Sequence, residues 1–122
     1  MAQNRALRVG PVALTTTLTT NILNPAAAGS GVGYTPTASV ITLQHIRITN
    51  KTASAATFSL WIGATGANAA GTEFMGTGTS VAANSFVDWF GRLPLAAADF
   101  LVGGSGTATA LTITLEGEVG LA

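Results

Sequence analysis

Apolar residues recur at every second position along much of this chain, and this alternation restricts its fold more than any other feature. The clearest case is the last stretch, where Leu111, Ile113 and Leu115 alternate with threonine and glutamate. A period of two places one set of side chains on one face of a β-strand. No stretch has the 3.6-residue period of a long amphipathic helix. The pattern therefore predicts an all-β protein.

Glycine, proline and asparagine divide the chain into about seven or eight short strands at spacings near ten residues. The predicted strands cover residues 12–23, 40–49, 57–62, 72–75, 80–83, 86–90, 100–102 and 111–119. We predict that strands 40–49 and 57–62 form a hairpin, that 96–99 form one helical turn, and that 103–106 form a turn. Many short strands separated by turns are typical of an antiparallel β-sandwich or jelly roll.

The strand over residues 40–49 has apolar side chains at both parities. Ile46 and Ile48 share one face, while Ile41 and Leu43 lie on the other. A strand with apolar residues on both faces is expected to be covered on both sides. We therefore predict a central strand here.

The length of 122 residues gives room for one domain with one hydrophobic core. The chain has no cysteine, which excludes disulfides, cysteine zinc sites and thiol catalysis. We predict a β-sandwich domain over residues 11–122, preceded by an extended N-terminal arm over residues 1–10.

Charged residues are scarce: they make up 8% of the chain, against a typical value of about 25%. Few charges and a net charge of zero favour association of the chain over a monomeric state in solution. Small polar and apolar side chains are also easier to bury in an interface than charges are. We therefore expect self-association into a symmetric oligomer.

The few charges are divided along the chain. Residues before Glu73 carry four basic groups and no acid, and the remainder carries five acids and Arg92. This division predicts either a basic arm, with Arg5 and Arg8, that binds an acidic partner, or pairing between strands of the two halves. Four dispersed basic residues do not predict nucleic-acid binding. No run of about 18 apolar residues predicts a membrane span.

Candidate chemistry is sparse. His45 is the single histidine, no acid lies near it in sequence, and it is interpreted as structural. Glu116 and Glu118 share a strand face, but we interpret that face as solvated or as part of an interface. Trp61 and Trp89 lie among apolar neighbours in the sequence. This favours packing in the core or at a subunit contact over an exposed surface on which sugar rings stack. The prediction is a protein that is not an enzyme, with no catalytic, cofactor or metal site.

Two parts of the chain resemble small β-sandwich virion proteins of tailed bacteriophages. One is IRITNKTASAATFSLWIG at residues 46–63, a strand, a small polar turn and a returning strand. The other comprises SVAANSFVDW at 80–89, LPLAAADFLV at 93–102 and ATALTI at 108–113. These are strand and turn patterns, and the similarity extends over about two thirds of the chain, from Val40 onward.

The resemblance implies a virion structural protein, assembled in the host cytoplasm. It favours a capsid decoration (cement) protein that binds the major capsid protein and stabilises the head shell, and it implies a homotrimer as the expected symmetric oligomer. In that role the N-terminal arm, with Arg5 and Arg8, is expected to grip the shell. The alternatives are a tail, collar or head-completion protein, which would bind another virion protein, and a carbohydrate-binding β-sandwich module.

Overall fold

The computed structural model describes residues 4–25, 31–32, 38–64, 66 and 68–121, and these contain nine β-strands and no helix. The strands are β1 (Asn4–Ala13), β2 (Asn21–Leu23), β3 (Gly31–Val32), β4 (Ala38–Asn50), β5 (Ala56–Gly63), β6 (Glu73–Val81), β7 (Phe86–Ala96), β8 (Phe100–Ser105) and β9 (Leu111–Leu121). The predicted all-β class is confirmed.

The strands form two antiparallel sheets that pack together as a β-sandwich. The larger sheet has five strands in the order β3-β1-β9-β4-β7, and the smaller has four in the order β2-β8-β5-β6. Between them lie fully buried side chains that include Phe58 and Leu60 from the smaller sheet and Ile46 and Leu115 from the larger. Burial of these apolar side chains supplies the main favourable free energy of folding.

Strand β4 is central, but its outer face is not apolar. Its register shifts between Leu43 and His45 against both β7 and β9. The shift turns the strand, so Ile41, Leu43, Ile46 and Ile48 all point into the core. The prediction that this strand is covered on both sides is therefore wrong, and its outward side chains include His45 and Arg47.

The predicted hairpin between strands 40–49 and 57–62 is also wrong. Both strands exist, but β4 pairs with β7 and β9 in the larger sheet, while β5 pairs with β6 and β8 in the smaller. The turn between them crosses from one sheet to the other. Asn50, only 1% exposed, bonds to the loop that makes this crossing.

The N-terminal segment belongs to the sheet. Strand β1 pairs with β9 from Asn4 opposite Gly120 to Ala13 opposite Thr112. Leu7 and Val9 point into the core. An extended arm over residues 1–10 is therefore not confirmed, and Met1 to Gln3 lie outside the described residues.

The predicted single strand over residues 12–23 is interrupted by a turn. Strand β1 ends at Ala13 and β2 begins at Asn21. Between them the Thr20 hydroxyl donates to the carbonyl of Thr17 at 2.6 Å and lies 2.8 Å from the Thr15 hydroxyl. Threonine side chains that bond to nearby backbone favour turns over strands. The segment carries the chain from the larger sheet to the smaller.

The predicted end of a strand at residue 90 and the predicted turn beginning at residue 103 are also absent from the fold. Gly91 and Arg92 lie inside β7, at a register shift between Phe90 and Leu93. Gly103 to Ser105 continue β8. The strand passes so close to Ser59 and Leu60 of β5 that Gly103 has no room for a Cβ atom. Residues 96–99 form a turn closed by a 2.9 Å bond from the Asp99 N–H to the Ala96 carbonyl, and the predicted helical turn is absent.

Candidate functional site

Polar and aromatic side chains gather on the outer face of the larger sheet, where β7, β4 and β9 lie side by side. Alternation along each strand turns these side chains away from the core. The register sets Arg47 opposite Asp88, and His45 opposite both Phe90 and Glu116. We call this set the outer-face cluster; its members are His45, Arg47, Phe86, Asp88, Phe90 and Glu116.

Asp88 is the centre of the ion pairing. Arg47 donates to it twice, from Nε to Oδ1 at 2.8 Å and from Nη2 to Oδ2 at 3.1 Å. The Nε2 atom of His45 lies 2.8 Å from the same Oδ1 atom. The hydrogen bonds from Arg47 and then from His45 lower the pKa of Asp88 to about 2. The Asp88 side chain is therefore ionised at neutral pH.

His45 joins two carboxylates. Its Nδ1 atom lies 3.0 Å from Oε1 of Glu116, on the side of the ring away from Asp88. The hydrogen bond with Asp88, together with that to Glu116, raises the pKa of His45 although partial burial opposes the change. The imidazolium form donates to both acids, whereas a neutral ring has one N–H and donates to only one.

Two phenylalanines flank this ion network on β7 and are largely in water. Phe90 is 71% exposed, and its ring stacks on the His45 imidazole with centroids 4.5 Å apart and planes 4° from parallel. Phe86 is 51% exposed, and the Arg47 guanidinium carbon lies 4.3 Å from its ring centroid. A side chain of β4, the His45 imidazole or the Arg47 guanidinium, thus covers one face of each ring. The rest of each ring is available for contact.

The chemistry of the cluster is that of an ion network. Both nitrogens of His45 face carboxylates, so neither is placed to take a proton from a hydroxyl nucleophile. Within the described ranges no group of three or more histidine, cysteine, aspartate or glutamate side chains is arranged to hold a metal ion. Whether the protein lacks enzymatic activity stays a prediction.

The two arginines predicted to contact a partner lie on β1. Arg8 is exposed on the outer face, and its register partner on β9 is Glu116. Arg8 is therefore in the same cross-sheet row as His45 and Phe90. Arg5 pairs in register with Val119, and its side chain lies outside the described residues. Arg8 therefore lies beside the outer-face cluster as a residue of a paired strand, and not as part of a flexible arm.

The tryptophans do not form a surface platform. Trp61 is 5% exposed. Trp89 is partly buried against the core and meets the edge of Phe74 with centroids 5.0 Å apart and planes at 75°. The preference for packing over sugar stacking is confirmed for Trp61 and, in large part, for Trp89.

The sequence contained one signal that could have revealed the exposed aromatics. Phe86 and Phe90 share the parity of Asp88, and a charged residue marks the face of a strand that meets water. The division of charge along the chain is explained in part by pairing within the fold, because Arg47 and His45 of β4 meet Asp88 of β7 and Glu116 of β9.

Comparisons with known proteins leave the site to be interpreted from its own geometry. No protein-family model, no curated protein and no solved structure matches the chain. In the part of the chain that the structure describes, no helix is long and apolar enough to cross a membrane.

Proposed function

We propose that the protein is a structural subunit of a tailed-bacteriophage virion, and specifically a decoration protein that binds the major capsid protein on the head shell. The observation that carries the proposal is the pair of exposed rings, Phe86 and Phe90, held on a rigid sheet by Arg47 and His45. The resemblance of residues 46–63 and 80–113 to small virion proteins supplies the class of assembly.

The physical case for a protein contact rests on how the rings are held. Aromatic and arginine side chains dominate the energy of protein interfaces, especially where they form a compact centre. Stacking on His45 and Arg47 limits the motion of the two rings before binding, so less entropy is lost when a partner closes over them. Exposed rings of this size on a chain with 8% charged residues favour burial in an assembly.

The proposal is tested on particles of the phage that encodes the chain. Quantitative mass spectrometry of purified particles should find the protein in hundreds of copies, and immunogold labelling should place it on the head. A few copies, or about a dozen, would support the alternative of a tail, collar or head-completion protein. Absence from purified particles would contradict a virion role altogether.

A matched pair of variants links the particle to the site. Phe86→Ser with Phe90→Ser should reduce binding to undecorated heads by at least about tenfold, because the exposed centre of the contact is removed. Thr77→Ser with Ser80→Thr, at exposed positions of β6 in the other sheet, should leave binding unchanged. Equal loss in both variants would assign the contact to another surface.

One observation favours a second candidate, a carbohydrate-binding module. Phe90 is 71% exposed and has carboxylates nearby at Asp88 and Glu116, a combination that suits stacking and hydrogen bonding to a sugar ring. Nuclear magnetic resonance titration with a glycan panel would show saturable shifts at residues 86–90 that Phe90→Ser abolishes. Absence of such shifts across the panel would exclude this candidate.

A further inference from the structure

Strand β7 forms one edge of the larger sheet, and among the described residues it pairs only with β4. An edge strand presents unpaired N–H and C=O groups along its free side, and another strand fits them. Such edges are normally protected by proline, bulges or charges that point outward.

Only the second half of β7 has this protection. The register shift at Gly91 and Arg92 interrupts the ladder, and Pro94 has no N–H to donate. The first half, Phe86–Phe90, is a regular ladder against Thr49–His45 with no interruption. Five residues of regular edge therefore remain open to a further strand.

The single charge in this five-residue segment does not protect the edge. Asp88 is bonded to Arg47 and His45, both on β4, and its side chain is 18% exposed. The carboxylate is thus directed toward the sheet and neutralised there. The groups most accessible at the open edge are the rings of Phe86 and Phe90.

The order of residues in the segment is symmetric about Asp88. It runs from an exposed aromatic through Val87, the acid and Trp89 to a second exposed aromatic. When such a segment pairs antiparallel with itself, each end of one strand meets the opposite end of the other. A two-fold interface needs this kind of self-complementary surface.

We infer that the open edge binds a second copy of this chain, with Phe86–Phe90 of the two copies pairing antiparallel about a two-fold axis at Asp88. Phe86 then lies opposite Phe90 of the second copy, and the two larger sheets become continuous. The inference rests on the proposed function for its setting, and it concerns the free edge of β7, whereas the proposed capsid contact uses the outward faces of the two rings.

The charges at the axis do not prevent this register. The axis brings the two Asp88 carboxylates toward each other, and like charges directly opposite repel. Each carboxylate is already bonded to Arg47 and His45 of its own copy, so its charge is neutralised before the two strands meet.

The test compares the mass of the full chain with that of charge variants, by analytical ultracentrifugation over a range of concentrations. Wild type should sediment at twice the chain mass of 12.2 kDa. Phe86→Glu with Phe90→Glu sets acid opposite acid and should weaken association by at least about a hundredfold. Phe86→Glu with Phe90→Lys sets acid opposite base in this register and should restore association to within about tenfold of wild type.

Circular dichroism melting of each variant checks that the monomer is folded, and both substituted positions are exposed. The inference is overturned if wild type stays monomeric or forms a trimer. It is also overturned if the Phe86→Glu, Phe90→Lys protein associates no more tightly than the Phe86→Glu, Phe90→Glu protein. If wild type is monomeric but the double glutamate variant loses particle binding, the edge binds a coat strand, and the proposed function survives. If dimers form but particles lack the protein, only the virion role fails.

Discussion

The Nε2 atom of His45 lies 2.8 Å from Oδ1 of Asp88, a residue 43 positions away along the chain. With the bond from Nδ1 to Glu116, the imidazole ties β4 to both of its neighbours in the larger sheet. The second bond depends on protonation, because a neutral ring carries one N–H. Cohesion of these three strands is therefore coupled to pH.

We expect His45→Gln to remove a pH dependence of stability above pH 6.5. The pKa of His45 is raised above 6.5 in the folded protein, so its contribution to stability is fully present below pH 6.5 and is lost as pH rises through the raised pKa. Urea unfolding of wild type from pH 5 to 9 should show this loss, and the variant should show a flatter profile. Identical profiles for the two proteins would contradict the assignment.

Asp88→Asn should change the acid side of the same profile. The pKa of Asp88 is lowered from 3.8 to about 2, so the stability it contributes is present above pH 3.8 and is lost as pH falls toward 2. The variant should be less stable than wild type at pH 5, and the difference should shrink near pH 2. Arg47→Gln is the companion variant, and carboxyl titration by nuclear magnetic resonance should show a higher pKa for Asp88 in it. An unchanged pKa would assign the shift to another group.

Asn50→Ala should destabilise the fold by about 2 to 4 kcal/mol. The buried Asn50 amide donates to the carbonyls of Ser54 and Val81 at 2.8 and 3.1 Å, and its oxygen accepts the N–H and hydroxyl of Thr52. Alanine leaves all of these groups without that partner in the turn that joins the two sheets. Urea unfolding followed by circular dichroism measures the loss.

Thr52→Ala is the matched control for Asn50, because it removes one hydroxyl that is partly in water. It should cost about 1 kcal/mol or less. A loss in Thr52→Ala equal to that in Asn50→Ala would place the effect in the loop conformation and not in the buried amide.

The alternation of side chains was enough to predict the sandwich and most of its strands, but not β1 and not how the strands pair. Residues 40–49 and 57–62 were correctly assigned as strands, yet the turn at Asn50 leads into the other sheet. A short polar turn serves a hairpin and a crossing equally well, and the buried bond from Asn50 to Val81 that favours the crossing joins residues 31 positions apart. Pairing therefore depended on contacts that local pattern does not encode.

The candidate site was predicted less well than the fold, for a related reason. His45 had no acid near it in sequence, and its two partners lie 43 and 71 residues away. Its position opposite Phe90 and Glu116 depends on the register shifts of β4 against β7 and β9 between Leu43 and His45, which no alternation reveals. The exposure of Phe86 and Phe90 was open to prediction from the parity of Asp88. The division of charge along the chain left two alternatives, a basic arm or pairing between the two halves, and the bond between Arg47 and Asp88 is a case of the second.

Gly10→Ala should be among the most destabilising small substitutions in the chain, at about 3 kcal/mol or more. Gly10 has a φ of +90°, and a Cβ atom there would lie 2.5 Å from the backbone oxygen of Ile113 in β9. Both strands would have to move apart where β1 changes register between Val9 and Val12.

Gly71→Ala is the control that separates backbone strain from the steric clash, since Gly71 has a similar φ of +97° but no neighbouring atom within 4 Å of the added carbon. It should lose only the backbone term, about 1 to 2 kcal/mol, in the same urea experiment. Equal losses would mean that β9 yields to the new methyl group, and that β1 is held to the sheet less firmly than its register indicates.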